Sequence, residues 1–104
     1  MGFGIGTNTE QTDAGLVRGR QEVVACDCWF TSSGKTIPRF LKYKDADGFI
    51  HGICDIEVHC SQKKNYCGIP MIEYECSCIE QGKEYYFRLL FLVQECLWKI
   101  IWRA

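Results

Sequence analysis

From Gln21 onward, apolar and polar side chains alternate with a period of two, in short runs separated by turn residues. One run is Val24, Cys26, Cys28 and Phe30; a second is Cys54, Ile56, Val58 and Cys60; a third is Ile72, Tyr74, Cys76 and Cys78. Residues two apart on a strand point to the same face of a sheet. The cysteines in these runs therefore point where the aliphatic and aromatic side chains point. They read as compact core residues of a chain that is mostly β-sheet. The pattern predicts six strands, at 22–31, 36–44, 49–60, 71–79, 84–93 and 96–103, and residues 61–70 (SQKKNYCGIP) read as a long loop. No segment carries a helical period.

Register can be tested at each turn. With Gln81-Gly82 as a two-residue turn, Glu80 opposes Lys83, Cys78 opposes Tyr85, Cys76 opposes Phe87, Tyr74 opposes Leu89 and Ile72 opposes Phe91. Glu75 then meets Arg88 on the other face, an opposite-charge pair. A slip of one residue would put the apolar set into water. Across Gln94-Glu95 the same count sets Phe91 against Trp98, Leu89 against Ile100 and Phe87 against Trp102. Around Ser32-Ser33-Gly34-Lys35 it sets Phe30 against Ile37, Trp29 against Pro38, Cys26 against Leu41 and Val24 against Tyr43. Around Asp45-Ala46-Asp47-Gly48 it sets Tyr43 against Ile50 and Ile37 against Ile56.

Sequential antiparallel strands with one very apolar face must close, stack or find a partner. The expected architecture is an all-β, six-stranded antiparallel meander curled into a small, partly open barrel, which also removes sheet edges. The alternative is a homodimer through the strand carrying Trp98 and Trp102. Residues 1–20 hold five glycines without periodicity and read as a flexible arm before a single domain at 21–104. Gly2-Phe3-Gly4-Ile5-Gly6 matches a phosphate loop only superficially, since no strand precedes it and no βαβ unit follows.

Composition narrows the function classes. A net charge of -1 gives no global attraction for nucleic acid or an anionic membrane. The N-terminus lacks the pattern of a secretory signal, and the apolar stretch Leu89 to Val93 is too short to span a bilayer. The expected compartment is the cytoplasm, where eight cysteines stay reduced; a disulfide framework is the alternative.

Candidate chemistry is sparse. No finger-type ligand spacing occurs, and strand-borne Cys-x-Cys pairs start about 6.6 Å apart at their backbones, too far for adjacent zinc ligands without distortion. No metal or cofactor is expected; Cys26, Cys28, Cys76 and Cys78 are the ligand set if one is held. Arg39 falls on the core phase by both hairpin counts. Either a bulge beside Pro38 turns it outward, or it faces inward, binds an anion and favours thiolate at Cys28 or Cys54. Cys67 stands apart in a loop beside Lys63 and Lys64 as the reactive-thiol candidate. His51 and His59 read as solvated residues on an acidic outer face formed by Asp55, Glu57, Glu73 and Glu75.

The leading expectation is a non-enzymatic binding module, because no nucleophile–base set or phosphate loop is apparent. Its surface would be Trp29 and Phe40 on the outer phase of the first hairpin, with Arg39, Lys42 and Lys44. A single-stranded nucleic-acid binder would use the same hairpin, 35–44, joined by Lys63 and Lys64. A thiol-based redox or zinc protein is the third class.

Overall fold

In the computed structural model, residues 15–17 and 19–103 are described. Among these residues seven strands follow in order: β1 Glu22–Phe30, β2 Thr36–Lys44, β3 Ile50–Ile53, β4 Glu57–Tyr66, β5 Ile69–Glu80, β6 Lys83–Leu92 and β7 Leu97–Trp102. They form one antiparallel sheet in the spatial order β3-β2-β1-β7-β6-β5-β4, curled into an open half-barrel. Most of the Gly-rich stretch 1–20 lies outside the described residues, including the Gly2–Gly6 motif.

The two C-terminal hairpins have the expected register at every residue, from Glu80 against Lys83 to Phe91 against Trp98. Gln81 and Gly82 both take positive φ, 52° and 77°, the mirror-image turn whose twist matches the flanking strands. β7 also pairs with β1 through Val24 and Trp98. Its β1 side is thus covered from Trp98 to Ile100, which shortens the edge open to a dimer built by pairing along the Trp98/Trp102 strand.

Three irregularities displace the rest of the expected register. On β2 the register shifts between the pairs Cys28–Pro38 and Asp27–Phe40, leaving Arg39 as the extra residue of a bulge. Trp29 consequently opposes Ile37 rather than Pro38, and Phe30 opposes Thr36. The tight Asp45 turn, closed by bonds between Asp45 and Phe49, sets Tyr43 against His51 instead of Ile50. The expected strand 49–60 is broken at Asp55, whose φ is 53°. Because β3 and β4 share a direction in the antiparallel order, the chain from Ile50 to Tyr66 is one path that changes partner at this kink. Its lower part pairs with β2 and its upper part with β5.

The expected loop 61–70 is a hairpin. β4 pairs with β5 as far as Tyr66 and Ile69, around a two-residue turn at Cys67-Gly68 with φ of 50° and 79°. Cysteine is a poor occupant of that left-handed position, which asparagine tolerates. Cys67→Asn is expected to raise stability by about 0.5–1 kcal/mol, read as a later urea midpoint at unchanged slope.

Two apolar clusters lie on opposite sides of the sheet. The inner one gathers Val24, Leu41, Ile53, Tyr74, Cys76, Cys78, Phe87, Leu89, Phe91, Trp98 and Ile100, with Cys26 and Cys28 packed against it. The outer one is smaller: Tyr66, Met71, Leu90, Leu92 and Ile101, with Val17 of the N-terminal stretch against it. That stretch lies so close that a Cβ at Gly19 would meet Ile101 Cγ2 at 2.8 Å, and Gly19 φ is 98°. Two cysteines expected in the core are exposed, Cys54 and Cys60. Cys54 precedes the kink, and Cys60 follows a bulge at His59 that flips the alternation of β4.

Candidate surface of the first hairpin

The bulge on β2 has a functional consequence. An extra residue lets two neighbouring side chains lean to the same side of a strand. Here it turns Arg39 away from the inner cluster, and its guanidinium lies over the Trp29 ring, 4.3 Å from the centroid. Such a cation–π contact at an exposed site is worth about 0.5–1 kcal/mol, which biases both side chains towards this arrangement. Trp29 is nevertheless 58% exposed, and Ile37 opposite it is also exposed. The bulge removes the inward-facing alternative, so Arg39 supplies no charge that would favour thiolate at Cys28 or Cys54.

Phe40 shares this outer face but is half-buried. Its ring lies across Gly52 of β3, where a Cβ would come within 3.1 Å of Cζ. Lys42 Nζ stands 5.9 Å from the Phe40 centroid, and Lys44 continues the strand, exposed. Asp27, opposite Phe40, puts a carboxylate among these cations.

The structure does not bring Lys63 and Lys64 to this surface. Lys63 opposes Ile72 and so points to the inner side; Lys64 opposes Met71 and points outward. Lys64 Nζ is 2.8 Å from Glu73 Oε1, and Arg88 donates to Glu73 Oε2 at 2.7 Å. Tyr66 Oη donates to the same oxygen at 3.0 Å. Glu73 was expected on a solvated acidic face, yet it is only 2% exposed. Burial pushes its carboxyl up, but the bonds from Lys64, Arg88 and Tyr66 outweigh burial and hold it below the usual carboxylate range.

The thiols sort by depth. Burial, then the neighbouring Cys28, pushes Cys26 up to about 12, and burial with Glu75 pushes Cys76 to about 12. Cys28 and Cys78 are raised as well, chiefly by burial. These four share the inner cluster as packing groups. Among the described residues, no group of three or more His, Cys, Asp or Glu side chains is placed to hold a metal ion. Cys67 sits exposed at the tip of its turn.

Neither histidine is a plain surface residue. His51 Nε2 is 2.6 Å from Asp45 Oδ2, and its ring stacks on Tyr43 at 5.2 Å. His59, leaning out of the β4 bulge, has Nε2 2.8 Å from Ser77 Oγ. This is the distance of a nucleophile–base pair, but Ser77 is 2% exposed on the outer face of the sheet. An acyl-transfer nucleophile must be reached by substrate, and this hydroxyl is covered. The pair instead satisfies a buried polar group. Sequence reasoning missed it because a bulge, which alternation cannot show, brings His59 to Ser77.

Among the described residues, no helix is long and apolar enough to cross a membrane. No protein-family model, no curated protein and no solved structure matches the chain.

Proposed function

We propose that the chain is a non-enzymatic, cytoplasmic interaction module that binds a protein partner through the outer face of the β1–β2 hairpin, with Trp29 as its anchor. The observation that carries this reading is the exposed Trp29 braced by Arg39 at 4.3 Å. Tryptophan and arginine dominate the energetics of protein interfaces, and a side chain already held in place loses less entropy on binding. Ile37 extends the apolar centre, and Asp27, Lys42 and Lys44 form a mixed polar rim. A stripe for single-stranded nucleic acid would be more uniformly basic. With Lys64 engaged by Glu73 and Lys63 on the inner side, no such stripe extends beyond the hairpin among the described residues.

A photo-crosslinking residue placed at Ile37 tests this in cells. A discrete adduct with another polypeptide is expected, and Trp29→Ala or Arg39→Glu should weaken the captured complex at least tenfold. Adducts removed by nuclease would assign the face to nucleic acid. Adducts indifferent to both substitutions would remove the reading.

A further inference from the structure

The change of partner at Asp55 leaves the half-barrel wall open above the kink. β3 pairs only with Leu41–Lys44, so among the described residues the first half of β2, from Thr36, has no strand neighbour on that side. Between it and β4 lies a cavity of about 260 Å³ that includes Lys35, Pro38, Val58, Ser61, Lys63 and Tyr74 in its lining. It shares Gly34, Thr36, Lys63 and Ile72 with a second cavity of about 430 Å³ at the barrel mouth. Phe91, Met71 and Phe30 line the latter. Together they make a trough with an apolar floor.

We infer that this trough binds a small amphipathic carboxylate, a fatty-acid-like anion with an unbranched apolar chain. The larger cavity alone falls within the range of small-molecule sites, the smaller one extends it, and apolar walls with a few polar groups are their usual chemistry. Charge sets the head group. Lys35 and Lys63 border the trough, and the described residues show no carboxylate paired with either ammonium, whereas neighbouring Lys64 is bound to Glu73. Thr36 and Ser61, both hydroxyl residues, belong to the same lining. No acidic side chain lines either cavity. The opening below the kink is different: Glu80 and Arg103 both line it, so it has no net preference for an anion.

An extended peptide adding a strand in this gap is the competing occupant, and the β2 edge disfavours it. Strand addition needs free backbone donors and acceptors in register. The Thr36 carbonyl already accepts from Tyr74 Oη at 2.9 Å. Pro38 has no N–H, and Arg39 is the bulged residue. A ligand that needs no ladder is the better match.

The test is amide NMR titration of the full chain with dodecanoate below its micelle concentration, with dodecylammonium as the charge-reversed probe. Dodecanoate should give saturable shifts centred on Lys35, Ile37, Lys63, Ile72 and Phe91. The double variant Lys35→Glu/Lys63→Glu should weaken dodecanoate at least tenfold and strengthen dodecylammonium. Both lysines are exposed, so the variant is expected to fold, and an unchanged melting curve verifies it. If that variant unfolds, Lys63→Gln with the same probe pair takes its place. The inference is overturned by no saturable shift, by equal binding of the two probes, or by shifts centred on the lower opening.

Discussion

Glu73→Gln should destabilise the fold by about 3 kcal/mol, because removing one charge of a buried ionic cluster strands the others. Glu73 is 2% exposed and receives Lys64, Arg88 and Tyr66 on its two oxygens. Glutamine keeps the shape and one acceptor but cannot neutralise two cations. The loss sits at the lower end of the range for buried pairs because the Arg88 and Lys64 side chains are 20% and 32% exposed and regain some hydration. For a domain of this size each kcal/mol moves the melting temperature by about 4–8 °C, so a fall of more than 10 °C is expected. Lys64→Met should cost under about 1 kcal/mol, since its partner retains Arg88 and Tyr66.

The same cluster fixes a pH dependence. The Glu73 carboxyl is held below its ordinary range in the folded chain, so the unfolded chain binds its proton more readily. The stabilisation is complete above the unfolded value of about 4.3 and fades as the pH falls through the folded value. Melting curves from pH 6 to pH 3 should converge for the native chain and Glu73→Gln. Curves that stay parallel would show that Glu73 is not ionised in the fold.

How much of this was legible in the chain depends on where the backbone bends. Between Ile72 and Trp102 alternation is unbroken and the turns are short, so counting places every partner. A single extra or kinked residue reverses the count for everything beyond it. The Arg39 bulge, the Asp45 turn, the Asp55 kink and the His59 bulge each do this, which is why Cys54 and Cys60 lie outside and Trp29 faces Ile37. Arg39 did announce itself, as a charge on the apolar phase beside a proline. His59 and Asp55 left no such mark.

Beyond Cys60 the sequence of β4 has the look of a loop for a different reason. An edge strand has one unpaired side, and guarding it with a bulge and lysines removes the apolar signature that identifies a strand. Ser61, Gln62, Lys63, Lys64 and Asn65 have that composition. Missing this strand also hid the Glu73 cluster and the trough, because both need Lys63 and Lys64 returned alongside β5. Interaction sites formed by segments distant in sequence are the last feature alternation can reveal.

Alkylation should divide the eight thiols sharply. At pH 8 a thiol near 12, such as Cys26 or Cys76, is thiolate in about one molecule in ten thousand, against about one in ten for a thiol near 9. The more basic thiolate is intrinsically more nucleophilic, by about twentyfold over that interval. The balance leaves Cys26 and Cys76 about fiftyfold slower towards iodoacetamide, before any hindrance from packing. Cys54, Cys60, Cys67 and Cys96 are exposed and should form the fast group. Mass spectrometry of quenched samples should therefore show Cys26 and Cys76 unlabelled after the four exposed thiols have reacted, and urea should release these two together. The outcome decides between two roles for the inner cysteines. A core filler reacts only when the sheet opens, so its rate follows global unfolding. A redox or metal-exchanging thiol must be reached in the folded state. Early labelling of Cys26 or Cys76 would overturn their assignment as packing groups and revive a thiol-based function.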